Sequence, residues 1–229
     1  MKVLELFAGS RSFSKVAEQL GHETYTTDFK AFDKIDLVKD ILDVNATDIE
    51  KEFGVPDIIW ASPPCTYFSV ASIGHHWNKD HTPKTKEAIL GVDIVEKSNS
   101  IIRYFLNKNP YLKYYIENPR GKLRKLPVMG WTTYRRTIWY CQYFSPEETI
   151  KRAKPTDIWT NDFNWIPRKE CKNGNPNCDH AVAPRGSQTG TQGLKGNYLR
   201  SIVPSELCRE ILTAGDYGPA TWTLFKKER

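Results

Sequence analysis

Long hydrophobic runs are missing from this chain. No stretch approaches the ~18 consecutive apolar residues of a membrane span, and mean hydropathy is −0.56, so a soluble protein is expected. Cysteine is scarce: five residues, an odd number at irregular spacing. That argues against a disulfide framework and leaves thiol chemistry or a metal as the use of sulfur. There is no internal repeat and no low-complexity tract. The opening MKVLELFAG has too short an apolar run for a secretory signal and reads as a first strand, so a cytoplasmic location is expected.

What is present suits one α/β domain with a small appendage: 229 residues, 39% of them hydrophobic. The net charge of +6 is uneven. Residues 1–100 carry 11 Lys+Arg against 16 Asp+Glu, residues 101–170 carry 14 against 6, and residues 171–229 carry 8 against 5. A basic middle and tail beside an acidic N-terminal half point to a surface built for a polyanion. A merely solvated basic face is the plainer alternative.

The stretch from Pro56 to Ser69 organises the rest. Ile58-Ile59-Trp60-Ala61 reads as a buried strand. Ser62-Pro63-Pro64-Cys65 stops it, because two prolines fix φ and cannot continue a ladder. Cys65 is thereby held at the carboxyl edge of the sheet, where open α/β sheets place ligands. On its own, a lone cysteine beside a turn is more often an inert buried thiol.

Before it, Val3–Phe7 reads as a strand, Ala8–Phe13 as a Gly-containing turn, and the following residues as a helix with Phe13, Val16, Ala17 and Leu20 at helical spacing. Such a turn lets backbone approach a ligand. Glu23–Thr27 is a second strand closed by Asp28, about 20 residues on, where an acidic side chain meets a ribose hydroxyl in dinucleotide folds. Asp36–Ile41 reads as a third strand, and Asn45 caps a helix running to Phe53. Residues 66–83 form a long Ser/Gly/His/Lys loop, expected to be a mobile lid. Thr85–Asn107 reads as a helix burying Ile89, Val92, Ile94, Val95, Ile101, Ile102, Phe105 and Leu106. Tyr111–Ile116 is a fifth strand running into Glu117-Asn118-Pro119, and Thr132–Tyr143 alternates as one or two more. Pro204-Ser205 opens a last helix through Leu212.

Two of these motifs, each at a strand end and in this order, resemble those of the cytosine-C5 DNA methyltransferases: Pro63-Pro64-Cys65 the nucleophile motif, and Glu117-Asn118 the second catalytic motif. Phe7-Ala8-Gly9 resembles the family's first cofactor motif, with Arg11 and Ser12 where glycines are usual, a variant of short, phage-type members. Glu117 is usually followed by Asn-Val, here by Asn118-Pro119. Arg135-Arg136 resembles a later basic motif in which an arginine meets the target cytosine; strand alternation lets only one of them face the pocket. Ser201-Ile202-Val203-Pro204 resembles the final motif, without its asparagine. The resemblance spans residues 1–143 and 185–213.

It implies a Rossmann-like, S-adenosylmethionine-dependent methyltransferase fold: α/β, a mostly parallel seven-stranded sheet flanked by helices. Residues 1–143 and 194–229 would form the catalytic and cofactor-binding domain, and 144–193 a small target-recognition segment with interleaved basic and aromatic residues. It implies Cys65, Glu117, Arg135 and Arg136 as catalytic residues. Cofactor contacts would come from Phe7, Ala8, Gly9, Ser10, Ser12, Phe13, Asp28, Asp40, Ile41, Pro63 and Ser201. The implied partner is double-stranded DNA, with no membrane and a monomeric enzyme; a phage-encoded copy would work in the host cytoplasm. The alternatives are the same chemistry on RNA, transfer of another group from a modified S-adenosyl cofactor, and a degenerate fold that only binds DNA. An amino-methyltransferase is disfavoured, since it wants Asp/Asn-Pro-Pro-aromatic at this strand end.

One constellation lies outside that resemblance. Cys171, Cys178 and His180, with Cys141 contributed from a strand, could ligate Zn²⁺ and staple a loop too small for its own core. Ordinary loop thiols are the alternative. The adjacent His75 and His76 point apart and do not suggest a metal.

Overall fold

The computed structural model describes residues 1–145, 151–182 and 197–214. Seven strands form one sheet: β1 (Lys2–Leu6), β2 (Glu23–Asp28), β3 (Leu37–Val38), β4 (Ile58–Ala61), β5 (Lys113–Pro119), β6 (Tyr134–Trp139) and β7 (Pro155–Thr160). Their order is β3-β2-β1-β4-β5-β7-β6. Strands β1 to β5 pair in parallel, and β7 runs antiparallel to both of its neighbours. This is the mostly parallel sheet of the expected Rossmann-like methyltransferase fold, with one strand reversed.

Helices α1 (Ser12–Gln19), α2 (Ala46–Glu52), α3 (Ile73–His76), α4 (Lys86–Lys108), α5 (Asn197–Ser201) and α6 (Ser205–Thr213) accompany it. The fully buried IIWA of β4 needs cover on both faces. On one face Val3, Trp60, Tyr115 and Ile158 pack with Phe13 of α1 and Leu207 and Ile211 of α6. There the Phe13 and Trp60 rings stack at 4.7 Å. On the other, Leu4, Ile59 and Ile116 pack with Ile49 of α2 and Ile101, Ile102 and Phe105 of α4. No helix of the described residues is long and apolar enough to cross a membrane.

Several boundaries differ from the sequence reading. The third strand shrinks to Leu37–Val38 because the carboxylates around it take backbone N–H groups: Asp36 from Thr26 and Asp40 from Leu42. Helix α4 starts one residue after its cap, Thr85, whose hydroxyl accepts from the Ala88 N–H. It turns Ala88 and Gly91 inward, leaving Ile89 49% exposed. A side chain at Gly91 would collide with the Tyr67 ring.

The 66–83 loop is not structureless. It holds a short helical turn and α3, with Phe68 and Trp77 buried and in ring contact at 5.9 Å. The Trp77 indole donates to the Tyr67 carbonyl, and the Lys122 N–H to the Phe68 carbonyl.

The largest departure is β7. Residues 155–160, expected in the recognition segment, instead occupy the sheet between β5 and β6. The aromatics assigned to groove contact follow them inward: Trp159 and Trp165 are core residues, while Phe163 is exposed. Thr156–Thr160 are buried without a break, so this strand is covered on both faces. Residues 183–196, with Arg185-Gly186-Ser187 and Gly190–Gly193, lie outside the described residues, as does the tail from 215.

Candidate active site

The ladder of β4 ends where the Ser62 N–H reaches the Leu6 carbonyl, and the Trp60 indole fixes the Ser62 hydroxyl at 2.8 Å. Pro63 is buried, and Cys65 follows half-buried at the sheet's carboxyl edge. Its carbonyl accepts from the N–H groups of Phe68 and Ser69, both at 3.0 Å, closing a tight turn. The thiol is free. Burial pushes it above its ordinary pKa; the Lys154 ammonium opposes that and the Glu117 carboxylate adds to it.

Glu117 lies inside β5 rather than after it. Strand β5 pairs with β4 only as far as Ile116, but with β7 through Pro119. Its last residues therefore overhang β4 where the Pro-Pro turn departs. Asn118 bridges that gap, its amide donating to the Pro63 carbonyl at 2.9 Å. The Pro63-Pro64-Cys65 turn and the Glu117-Asn118 segment are thus joined by a buried hydrogen bond.

Glu117 is buried, and one of its oxygens, Oε1, has two partners. The Tyr140 hydroxyl donates to it at 2.9 Å, and Lys154 Nζ stands 3.4 Å away. Lys154 Nζ also lies 4.5 Å from the centre of the Tyr140 ring and donates to the Arg200 carbonyl. Burial, with the carboxylate beside it, holds the Tyr140 phenol protonated far above neutrality. Sequence reasoning named neither residue for the site. Lys154 reaches it because β7 is reversed, so its first residue lies at the edge where the parallel strands end. The lysine just before a strand of unknown direction gave no such signal.

The two arginines separate. In register, Glu117 pairs with Ile158 and Ile158 with Arg136, so Arg136 shares the face of Glu117 two strands away. Its guanidinium lies over the Tyr134 ring at 5.2 Å. Arg135 pairs with Trp159 on the opposite face, is exposed, and donates to the Arg124 carbonyl. Arg135 is therefore not in the group around Glu117. On that opposite face Arg124 grips the fully buried Asp157 through two bonds, at 2.6 and 2.8 Å, with Thr137 completing the network.

The turn after β1 is an unusual backbone. Phe7, Gly9 and Arg11 all have positive φ, +61°, +38° and +54°. Only glycine adopts that region without cost, so Arg11 holds a left-handed conformation that a glycine would take without strain. Its guanidinium is held by Glu18. Beneath the turn, the buried Glu5 of β1 accepts from the N–H groups of Phe13 and Ser14, anchoring the start of α1. Ala8 donates to the Thr27 carbonyl, and Gly9 donates to Asp28 Oδ2 at 3.0 Å. Burial raises the Asp28 carboxyl above its ordinary range, against the N–H groups of Lys30, Gly9 and Phe29.

An open cavity of about 290 Å³ lies over this turn, lined by Gly9, Ser10 and Arg11 and by the rings of Phe32 and Tyr198. A Cβ at Gly9 would project toward Asp28 and Phe32. Bare backbone on one side and aromatic faces on the other suit an adenosyl group, with Lys15, Glu18, Asp33 and Lys34 at the rim and Asp28 beneath Gly9. Asp40 does not join them, being an exposed cap, and Ile41 is buried in the core. Ser201 is exposed and bonds to the Tyr198 carbonyl. The final motif returns to the turn by another contact, Val203 N–H to the Ser12 hydroxyl at 3.1 Å, with Ser10 on Ser12 at 2.7 Å. Phe32 and Tyr198 carried no motif that would have named them.

Beyond β6, Cys141, Cys171, Cys178 and His180 bring their ligand atoms within 4.8 Å of one another. The four residues singled out from sequence spacing converge.

No family model matches the chain. A probable DNA (cytosine-5)-methyltransferase of Frog virus 3 (isolate Goorha) is 29% identical over 227 residues, 93% of this chain and 99% of the viral protein. Among solved structures, a SAM dependent methyltransferase from Archaeoglobus fulgidus aligns with a TM-score of 0.32 at 10% identity, over 69% of this chain and 85% of that one.

Proposed function

We propose that this chain, similar over 93% of its length to a viral cytosine-C5 methyltransferase, is a DNA (cytosine-5-)-methyltransferase working through a transient Cys65 adduct. One observation carries the reading. The half-buried thiol after β4 and the buried Glu117 of β5 are tied together through Asn118 and Pro63, on the sheet edge that also holds the Gly9 turn.

Cytosine C5 is too weakly nucleophilic to take a methyl group directly, and covalent catalysis answers that. The Cys65 thiolate bonds to C6, and the ring electrons move toward C5 and N3. Glu117 hydrogen-bonds the N3 edge and stabilises the charge developing there. S-adenosylmethionine, when bound, supplies an electrophilic methyl group. C5 takes that methyl with its electron pair; the C5 proton then leaves to a base, the Cys65–C6 bond breaks and the thiolate returns. Phe7–Ser10, Ser12 and Asp28 would hold the cofactor, with Phe32 and Tyr198 at its aromatic side.

Lys154 supplies the cation expected from an arginine. It favours the thiolate of Cys65 and balances Glu117, while Arg136 faces the same side of the sheet from farther out. Burial, and with it Glu117, raises the Cys65 pKa and disfavours the thiolate in the free enzyme, against the pull of Lys154. Activation therefore follows substrate binding: the proton that Cys65 gives up is taken by the Glu117–N3 pair, which neutralises Glu117 so that it ceases to repel the thiolate. A cytosine stacked in duplex DNA hides C6, so the base must be flipped out at a cost of a few kcal/mol. Residues 66–83, anchored by Phe68 and Trp77, would close over it, and Phe163, Lys169 and Lys172, all exposed, would meet the duplex. The enzyme would act as a monomer.

Trapping on a duplex containing 5-fluorocytosine tests this, because fluorine blocks the final proton loss. Wild type with S-adenosylmethionine should form an adduct stable to denaturation, and Cys65→Ala none. An adduct surviving that substitution removes the nucleophile assignment. An adduct with fluorinated RNA and not DNA removes the substrate assignment. Mass spectrometry of the product base identifies the transferred group.

A further inference from the structure

We propose that Cys141, Cys171, Cys178 and His180 bind one structural Zn²⁺, and that this node holds in place the two side chains that clasp Glu117. The first part stands on the ligand geometry alone. The second rests on the catalytic reading of Glu117.

A tetrahedral zinc with Zn–S near ~2.3 Å and Zn–N near ~2.0 Å requires ligand atoms about 3.6–3.8 Å apart. Cys171 Sγ and His180 Nδ1 are 3.8 Å apart, and all four donors lie within 4.8 Å. Cys141 and Cys171 are each 7% exposed and His180 is 5% exposed. None of the three cysteines is in a disulfide.

Side-chain amides are turned toward the sulfurs, although Cys171 Sγ also faces the Lys172 carbonyl at 3.5 Å. Gln142 Nε2 points at Cys141 Sγ and Cys178 Sγ, at 3.7 and 3.6 Å, and Asn175 Nδ2 at Cys171 Sγ at 3.4 Å. N–H donors around a sulfur cluster serve a metal-bound thiolate and are of little use to a neutral thiol. The local apolar cluster is Trp139, Cys141, Ala153 and Cys171, with Cys178 against it. A segment with so little else to bury gains most from a metal. Three soft sulfurs and an imidazole with no open position select zinc in a structural role.

The imidazole reports what loading would change. The Gly174 N–H now faces Nε2 at 3.1 Å. A metal on Nδ1 places the ring proton on Nε2, so that contact must give way. Gly174, at φ +73° and with open space around it, can turn.

The link to chemistry runs through the backbone. Cys141 follows Tyr140, whose hydroxyl bonds Glu117, and the Tyr140 N–H donates to the Lys154 carbonyl at 3.1 Å. On the other side, the Ala181 N–H donates to the Lys151 carbonyl, and Arg152 bridges to Ala181. The strip from 151 to 154 is thus clamped between the end of β6 and the ligand loop. Tyr140 and Lys154 both hang from that clamp.

Metal analysis of the purified full chain tests the site. Expected is about one zinc per chain, retained in Cys65→Ser and Cys208→Ser and lost in Cys171→Ser and His180→Ala. Because loss of a ligand can also unfold the loop, wild type stripped by chelator and reloaded with Co²⁺ provides a second readout: visible d–d bands and thiolate-to-cobalt charge transfer of a tetrahedral thiolate site. Wild type from zinc-supplemented cells without stoichiometric metal, or with two of these cysteines oxidised to a disulfide by mass, overturns the proposal. For the second part, stripping should slow adduct formation on the fluorinated duplex at least tenfold, with recovery on adding Zn²⁺. An unchanged rate in stripped protein overturns the positioning role and leaves the metal site standing, whereas failure of the Glu117 reading would appear in Glu117→Gln with metal bound.

Discussion

The parallel half of the sheet and the reversed pair at its edge supply the site in different ways. In β1, β2 and β4 each contributing residue closes or follows its own strand: the Phe7–Gly9 turn, Asp28, and Cys65 after two prolines. A strand, a breaker and a reactive residue lie within one short window, so local chemistry sets the position. In the reversed pair, Tyr140 follows β6 while Lys154 precedes β7, and both arrive beside Glu117 only because the two strands run in opposite directions. The first half shows that a site can be built from local stops. The second shows that one reversal can deliver a cation no local pattern announces.

Variants can break or sharpen that contrast. Glu117→Gln touches the residue both halves share. On the proposed mechanism, loss of the carboxyl that shares a proton with N3 should lower kcat roughly 10²–10⁴-fold, the range of general acid–base contributions, measured under single-turnover conditions. Arg124→Ala tests whether the reversed pair is held by its own buried network. It strands Asp157, which is fully buried, and should cost about 3–5 kcal/mol in denaturant unfolding. A loss within 0.5 kcal/mol, roughly that of an ordinary surface change, would show that the pair does not depend on that ion pair.

Lys154→Met tests the cation itself and should lower kcat about thirtyfold, below the ~10²-fold loss of a full electrostatic donor, with a signature in pH. Burial raises the Cys65 pKa, so the thiolate fraction, and with it the rate of alkylation by iodoacetamide, rises with pH through a midpoint above that of an ordinary thiol. Removing the ammonium should move that midpoint higher; Glu117→Gln, by removing a like charge, should move it lower. Midpoints that do not separate in those directions would take Lys154 out of the site. The smallest effect is expected at Arg11→Gly in the parallel half. It relieves a left-handed arginine, a gain of about 1 kcal/mol, and gives up the pairing with Glu18. Stability should stay within about 1 kcal/mol, with S-adenosylmethionine binding retained by calorimetry.

Much of this was legible in advance. Continuous burial of IIWA, the Pro-Pro stop and the helical spacing of Phe13, Val16 and Ala17 are short-range signals, and the folded chain uses them as expected. Ligand chemistry could name Cys141, Cys171, Cys178 and His180 as one possible set beside ordinary loop thiols, and the fold brings the four together. Ile89 was misplaced because apolar periodicity could not anticipate that two small residues, Ala88 and Gly91, would turn inward against Tyr67. Trp159 and Trp165 read as surface aromatics because a strand buried on both faces resembles an aromatic-rich loop. Asp40 and Ser201 matched motif positions, yet a cap and a helix end took their side chains elsewhere.

By itself the sequence determined which residues can react and where each strand of the parallel half must stop, because proline, glycine and hydrophobic spacing act over a few residues. Only the tertiary structure decided which cation stands beside Glu117 and which arginine shares its face, because strand direction and register are set by pairing between segments far apart in the chain.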